Sequence, residues 1–458
     1  MNVPRAIFRQ YDVRGIVGAE LTAELARALG RAYATLAWRT LGRAPVLLVG
    51  RDNRPSGTAL AQAVLQGISD TGGTAVDVGM LPTPALYLGV VALEADGGLQ
   101  VTGSHNPPEF NGFKMVLAGE SVHGDEIVEL WEIITAGRWT TGQGRISADG
   151  SVLGRYRDAI TARHNLARPV SVVVDCGNGA GSLVTVATLQ GLGAAVTPLF
   201  CESDGTFPNH HPDPTVPANL KDLQETVRRT GAELGIAFDG DADRIGAVDE
   251  HGRIIFGDQL LVLYGRDAVR RFGPGIPVIY DVKCSSVLGT ALEQAGASPL
   301  MWKTGHSLIK SKMKSMGAPL AGEMSGHMFF GGDYYGFDDA LFGAARLLEI
   351  VSGGPGGLSR FLADLPETFV TPEIRVECGD DRKFGLVDRA AAYFASRYPV
   401  NTIDGVRMTL PEGWGLIRAS NTQPILVLRF EAAHPEALER YQAEVRTWLA
   451  SEGLHAEW

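Results

Sequence analysis

Four short stretches of this chain hold side chains whose types and spacing suit chemistry. In FDGDADR, Phe238 to Arg244, acidic residues alternate. Positions two apart on an extended chain share a face, so Asp239, Asp241 and Asp243 converge on one point. Unneutralised, they would repel each other by several kcal/mol at low effective dielectric, which makes a hard divalent cation their natural occupant, magnesium before others. A solvated acidic turn is the plain alternative. A calcium loop of the EF-hand type is another, because Glu250 falls at its twelfth position. It fails on Arg244, where that loop requires Gly, and on the strand-like LGIAF and IGAVDE that replace flanking helices.

The stretch LQVTGSHNPPEFNGFKM presents one hydroxyl, Ser104, on a loop stiffened by prolines and closed by Lys114. No second Gly completes a G-x-S-x-G elbow, which argues against an ordinary serine hydrolase, and the adjacency of His105 gives no reason to assign it as a base. A turn serine beside prolines is the bland alternative. In GEMSGH, Glu323, Ser325 and His327 offer donors and acceptors of the kind a sugar's hydroxyls require, although a Gly-rich turn with one satisfied His reads the same way. In RASNTQP, Arg418 supplies a bidentate fork, and Ser420, Asn421 and Thr422 supply short donors in a turn whose amides can face an anion. That describes a phosphate clamp, against the alternative of a plain β-turn.

Such groups must be positioned by something. Three times an apolar run ends in a polar turn: VLLVGRD, VSVVVDCGNG and IPVIYDVK. Helix-patterned sequence then leads to a second run: LQVTGSHN, LGIAFDGDAD and PLAGEMSGH. One α/β unit used three times, with largely parallel strands in mixed sheets, explains this pattern, and ligands of such sheets gather beyond the carboxyl ends of the strands. From Thr371 the text changes to PEIRVEC, KFGLVDRAAAYFASRY, GVRMTL, GWGLIRAS, ILVLRFEA and PEALERYQAEVRTWLA. An antiparallel sheet with helices on one side is expected there, hence a fourth, α+β domain. Joints near Asp149, His251 and Pro366 divide the chain into 1–149, 150–251, 252–366 and 367–458.

With 458 residues the chain holds several cores. The formal charge of −11 and the lack of a basic run exclude nucleic acid and anionic membrane surfaces as partners. No secretory leader or bilayer-spanning stretch is present, so a cytoplasmic location is expected. The four cysteines, Cys176, Cys201, Cys284 and Cys378, form no CxxC, which argues against a zinc site and a disulfide framework.

Taken in order, FRQYDVRG, GRDNRPSG, VTGSHNPPEFNGFKM, DCGNGAG, FPNHHPDP, FDGDADR, KTGHSLIKSKM, GEMSGHMFF and RASNTQP resemble the α-D-phosphohexomutase superfamily, in its phosphomannomutase/phosphoglucomutase branch. The resemblance implies four domains around a central cleft, the last similar to a TATA-binding-protein fold, and an active form phosphorylated on Ser104. It implies that phosphoserine donates to a hexose 1-phosphate, giving a 1,6-bisphosphate that turns over and returns its other phosphate to Ser104. One magnesium ion on Asp239, Asp241 and Asp243 would take a further ligand from the phosphoryl group on Ser104, while His105 and Asn106 shape the loop. Arg244 and Lys114 would neutralise phosphoryl oxygens, and Arg14, Lys114 and His327 are the implied acid/base groups. Tyr11, Lys283, His306, Glu323, Met324 and Ser325 match substrate-contacting positions, and Arg418 with Ser420, Asn421 and Thr422 would hold the unreacting phosphate. The partners implied are small hexose phosphates, the chain itself standing as a monomer or small homo-oligomer.

Phosphoglucosamine mutases are similar but carry Gln where Met324 stands. A more distant rival is a sugar phosphatase of the haloacid-dehalogenase kind, with Asp239 as nucleophile, because IAFDGDAD is also a strand ending in D-x-D. It leaves TGSHNP and RASNTQP without work. A non-catalytic sugar-phosphate receptor is the third reading, which turnover separates from the others.

Overall fold

The computed structural model describes residues 3–421, 423–456 and 458. In the first α/β unit the buried strand Val46–Arg51 lies parallel to Thr74–Met80 on one side and Gly97–Val101 on the other. Helices cover both faces, which is why these strands are apolar throughout rather than alternating. Helix Ala23–Leu41 begins where Thr22 Oγ1 accepts from the Leu25 N–H at 3.2 Å and ends at Gly42, whose φ of +68° a residue without Cβ adopts at no steric cost. It packs on helix Gly57–Ser69 so closely that a Cβ at Gly67 would stand 2.1 Å from the Arg27 carbonyl oxygen.

The second unit places Ser171–Asp175 parallel to Ala195–Leu199 and to Leu234–Phe238. The third repeats the arrangement, with Pro277–Asp281 parallel to Ser298–Trp302 and Leu320–Gly322. Every sheet is mixed, and the antiparallel strand has one origin in all three. Gly97–Val101 turns back into Phe110–Leu117, Leu234–Phe238 into Ile245–Asp249, and Leu320–Gly322 into Met328–Phe330. The reversals are the stretches singled out above for their chemistry. The fourth unit obeys the same rule: its sheet is antiparallel, and Gly413–Ala419 turns back into Ile425–Ala432 through the RASNTQP loop. Each chemical loop is therefore a hairpin whose two strands are buried in a sheet, a stiff mount for side chains that must be placed to a fraction of an ångström.

One continuous core joins the first three units, running from Leu86 and Tyr87 through Val172 and Ile236 to Leu260 and Leu341. The fourth has its own core around Phe394, Ile417, Leu428 and Trp448. It meets the third through a small apolar cluster, Val282 with Trp414 and Leu416, and through arginines donating to backbone carbonyls. Arg407 donates to Val282 O and Cys284 O, and Arg429 to Lys283 O. Burial pushes the Arg407 guanidinium down to about 10, so this attachment is polar and desolvated at once. Among the described residues no helix is long and apolar enough to cross a membrane.

Candidate active site

Ser104 sits at the tip of its hairpin with φ +49°, the left-handed region that a residue with a Cβ enters at a cost of about 1–3 kcal/mol. Arg54 holds it there. From its buried position Arg54 donates to four loop carbonyls, Ser104 O (2.7 Å), Asn106 O (2.6 Å), Pro107 O (2.6 Å) and Phe110 O (2.9 Å). Its Nε meets Asp52 Oδ2 at 3.2 Å, and Asp52 also accepts from Thr102 Oγ1 and the Gly103 N–H. Neither Arg54 nor Asp52 was among the site residues read from sequence. The signal was the charged GRDNR ending an apolar strand, but a charged turn looks the same whether its side chains face out or under a neighbouring loop. Replacing Arg54 with Leu leaves Asp52 buried without its counter-ion and frees four carbonyls. A loss of about 3–5 kcal/mol is expected, read as a lowered urea midpoint.

The metal-type loop is pressed directly against Ser104. A Cβ at Gly240 would lie 2.4 Å from Ser104 O, so only glycine permits the approach. Ser104 Oγ donates to Asp239 Oδ2 at 2.8 Å and lies 3.1 Å from His105 Nδ1. Burial, with Arg244 and Arg14 nearby, pushes the His105 ring well below its usual pKa, so it faces Ser104 neutral.

Asp239, Asp241 and Asp243 are buried, with ligand oxygens all within 4.8 Å of one another. Lys114 Nζ bonds Asp241 at 2.7 Å and also Asp243. Burial and the other two carboxylates drive Asp239 well up. Burial opposes charge on Asp243 as well, but Lys114 and His327 outweigh it and hold that carboxyl well below its usual range. Despite burial, Lys114 is held well above its ordinary value by the aspartates. Asp241 Oδ1 is buried with no hydrogen-bond partner among the described residues. An all-oxygen donor set with one orphaned carboxylate oxygen fits a hard divalent cation, with Asp239, Asp241 and Asp243 as its holders. Glu250, the residue a calcium loop would need, instead accepts from the Ser359 N–H at 3.0 Å.

The third hairpin is joined to the second by backbone. Ile245 N donates to Gly326 O at 3.0 Å, and Arg244 bridges His327. His327 stands between two carboxylates, Nδ1 2.6 Å from Glu323 Oε2 and Nε2 3.2 Å from Asp243 Oδ1. Burial and Arg244, whose Nε is 3.2 Å away, work against a charged ring, but Asp243 and Glu323 prevail and raise it to about 9. Glu323 Oε1 accepts from the Gly305 N–H, so this residue ties His327 to the start of a neighbouring helix. Ser325 Oγ is 3.5 Å from His327 Nδ1, and Met324 N donates to Asp281 Oδ1 at 3.1 Å. His306 is buried 5.7 Å from the His327 ring, its pKa lowered well by burial, Lys310 and His327.

Arg14, on the strand Val13–Ile16 at the edge of the first sheet, spans from Asp12 (2.6 Å) to Asn106 Oδ1 (2.8 Å) and so braces the serine loop. The Tyr11 hydroxyl links three units, donating to Thr304 O at 2.9 Å and accepting from Asn421 Nδ2 at 2.9 Å. Arg418 pairs with Asp404 at 3.2 Å, and Asp404 Oδ2 also accepts from the Thr304 N–H. Lys283 pairs with Glu373 at 3.2 Å, where burial is outweighed by Lys283 and Arg375 and the Glu373 carboxyl falls to about 2. Ser420 Oγ accepts from the Gln423 N–H at 3.1 Å. Thr422 lies outside the described residues. The sequence-derived residues therefore fall into two groups. Ser104, Lys114, the aspartates, Arg244 and His327 form one contiguous cluster, whereas Arg418, Lys283, Asn421 and Tyr11 stand together where the third and fourth units meet. Asp404, Glu373 and Asp281, which hold the second group, were missed: isolated acids in loops or at a strand end carry no spacing signal.

The sequence matches, in order, the phosphoglucomutase/phosphomannomutase alpha/beta/alpha domain I over residues 5–141, domain II over 154–252, domain III over 256–369 and the C-terminal domain over 373–447. It is 47% identical over 452 residues to a phosphomannomutase/phosphoglucomutase of Pseudomonas aeruginosa, covering 98% of this chain and 96% of that protein. It is 44% identical over 455 residues to a phosphoglucomutase of Neisseria gonorrhoeae, covering 98% of each. The crystal structure of a phosphoglucomutase/phosphomannomutase family protein from Burkholderia thailandensis superposes with a TM-score of 0.91 at 42% identity, covering 100% of this chain and 99% of that one.

Proposed function

The chain belongs to the phosphoglucomutase/phosphomannomutase family, and from that premise we propose that Ser104 is its phosphoryl carrier and the aspartate triplet its magnesium site. Its activity is that of a phosphomannomutase/phosphoglucomutase, interconverting the 1- and 6-phosphates of mannose or glucose. The observation that carries the reading of the site is the 2.8 Å contact between Ser104 Oγ and Asp239. It brings a phosphorylatable oxygen and a divalent-cation site, from two domains, into one cluster.

In the first half-reaction a sugar hydroxyl attacks phosphorus in line with the Ser104 ester, and charge collects on the equatorial oxygens. A divalent cation on Asp239, Asp241 and Asp243 supplies Lewis-acid stabilisation of that charge when bound. Lys114 and Arg244 face the same region as fixed cations, and the strained loop keeps the ester's orientation constant between the two half-reactions. His327, whose charged form Asp243 and Glu323 favour, is suited to give a proton to the departing serine oxygen and to take it back from the attacking Ser104 hydroxyl when the roles reverse, while the sugar hydroxyl's own proton passes to an oxygen of the transferred phosphoryl group and returns from it in the reverse direction. The hexose 1,6-bisphosphate turns between the half-reactions, so the end away from Ser104 must always meet the same anion site. Arg418 with Lys283, Ser420 and Asn421 forms that site, which explains a cationic group set apart from the chemical cluster.

The test is turnover of the purified protein on mannose, glucose and glucosamine 1-phosphates with a trace of hexose 1,6-bisphosphate, with the phosphoryl adduct mapped. Acid-stable, hydroxylamine-resistant phosphate on Ser104 is expected. A hydroxylamine-labile adduct on Asp239 would overturn the reading. Arg418→Ala should weaken hexose-phosphate binding by roughly 2–4 kcal/mol, because a charge-assisted bidentate contact is lost. Calorimetry that returned an unchanged Kd would remove Arg418 from the clamp.

A further inference from the structure

Two of the four cysteines, 25 positions apart in sequence, meet in space. Cys176 Sγ and Cys201 Sγ lie 3.0 Å apart, closer than two sulfur atoms sit in ordinary packing, at the carboxyl ends of the neighbouring parallel strands Ser171–Asp175 and Ala195–Leu199. Both are free thiols; Cys176 is buried and Cys201 partly exposed. We propose that this pair is a redox-modification site, a dithiol that a small hydroperoxide converts into an intrachain disulfide.

The sulfur of Cys201, the accessible member, attacks the peroxide. The O–O bond breaks, one oxygen leaves as water or alcohol, and Cys201 carries a sulfenic acid. The sulfur of Cys176 then attacks the Cys201 sulfur. The S–O bond breaks, hydroxide leaves and takes the Cys176 proton as water, and the S–S bond forms. Two thiols are oxidised by two electrons, and one hydroperoxide is reduced. Closing from 3.0 Å to the bonded distance of about 2.05 Å requires an adjustment of only about 1 Å. The local fields favour the same division of labour. The sulfur–sulfur contact outweighs burial and lowers the Cys201 thiol, while that contact and burial raise Cys176.

The site bears on catalysis through backbone. Cys176 opens the turn that runs to Ala180: Cys176 O accepts from the Gly179 N–H at 2.8 Å, and Ala180 N donates at 2.8 Å to the carbonyl of Gly240, the residue pressed against Ser104. A cross-link at Cys176 therefore acts on the support of the aspartate loop. No such argument attaches to Cys284, whose thiol donates to Asp281, or to Cys378.

The experiment treats the full chain with hydrogen peroxide, blocks remaining thiols with N-ethylmaleimide and measures mass, peptide map and turnover. The expected result is a Cys176–Cys201 cross-linked peptide, two blocked thiols in place of four, a change in turnover of at least about twofold, and recovery of both with dithiothreitol. In Cys201→Ser the cross-link and the change in turnover should both be absent. Four blocked thiols in the treated wild-type chain, or oxidation of Cys201 without a cross-link, would overturn the proposal, and neither reading depends on how the variant folds. A cross-link with unaltered turnover would overturn the coupling to Gly240.

Discussion

Ser104→Ala is expected to abolish turnover, by on the order of 10⁴-fold or more, while leaving the protein folded. The size of the loss follows from the role: without an oxygen to carry the phosphoryl group there is no first half-reaction, and among the described residues no other hydroxyl bonds Asp239 in its place. Retention of the fold follows from what holds the loop. Arg54 grips backbone carbonyls, and Thr102 Oγ1 accepts from the Ser104 N–H at 2.8 Å. None of these contacts uses the side-chain oxygen, and alanine meets the φ of +49° on much the same terms as serine. The measurement is a coupled assay from each sugar 1-phosphate, beside thermal unfolding. Undiminished turnover in a folded variant would refute the carrier assignment.

Lys114→Met is expected to move two quantities in opposite directions. Lys114 is 4% exposed, and its ammonium lies on the oxygens of Asp241 and Asp243. A divalent cation at the triplet must share those oxygens with it. Removing the like charge should tighten binding of Mg²⁺ or Mn²⁺ by at least about tenfold, since unit charges about 4 Å apart interact by about 4 kcal/mol at an effective dielectric of 20. The same change should cost on the order of 10³-fold in kcat, because a fixed cation facing the phosphoryl oxygens is lost. Titration calorimetry with chelator-treated protein reads the first effect and steady-state kinetics the second. Unchanged metal affinity would place the ion away from Asp241 and Asp243.

Sequence carried much of this because the informative residues come in local runs. VLLVGRD, LGIAFDGDAD and PLAGEMSGH became strands Val46–Arg51, Leu234–Phe238 and Leu320–Gly322, with the parallel pairings their apolar character implied. The alternating aspartates converge as their spacing required. What sequence could not supply was contact between runs. That every chemical loop is a reversal into an antiparallel neighbour depends on strand order, which no single run encodes. Arg54 reads as a turn arginine until the serine loop is laid over it, and the meeting of Cys176 with Cys201 follows only from the register of two parallel strands. Glu323 likewise looked like a sugar ligand, and its grip on the Gly305 N–H appears only when two loops are brought together.

The enclosure of Ser104, 1% exposed beneath hairpins from neighbouring units, bears on what the protein must avoid. A phosphate ester facing bulk water would leak by hydrolysis, and the same machinery would then behave as a slow phosphatase toward its own intermediate. For such a site to load and empty, the seam between those hairpins has to part. Each parting gives the bisphosphate a chance to escape and water a chance to enter. The strength of that seam thus sets a partition ratio: how many sugars one phosphoryl group serves before the enzyme must be recharged.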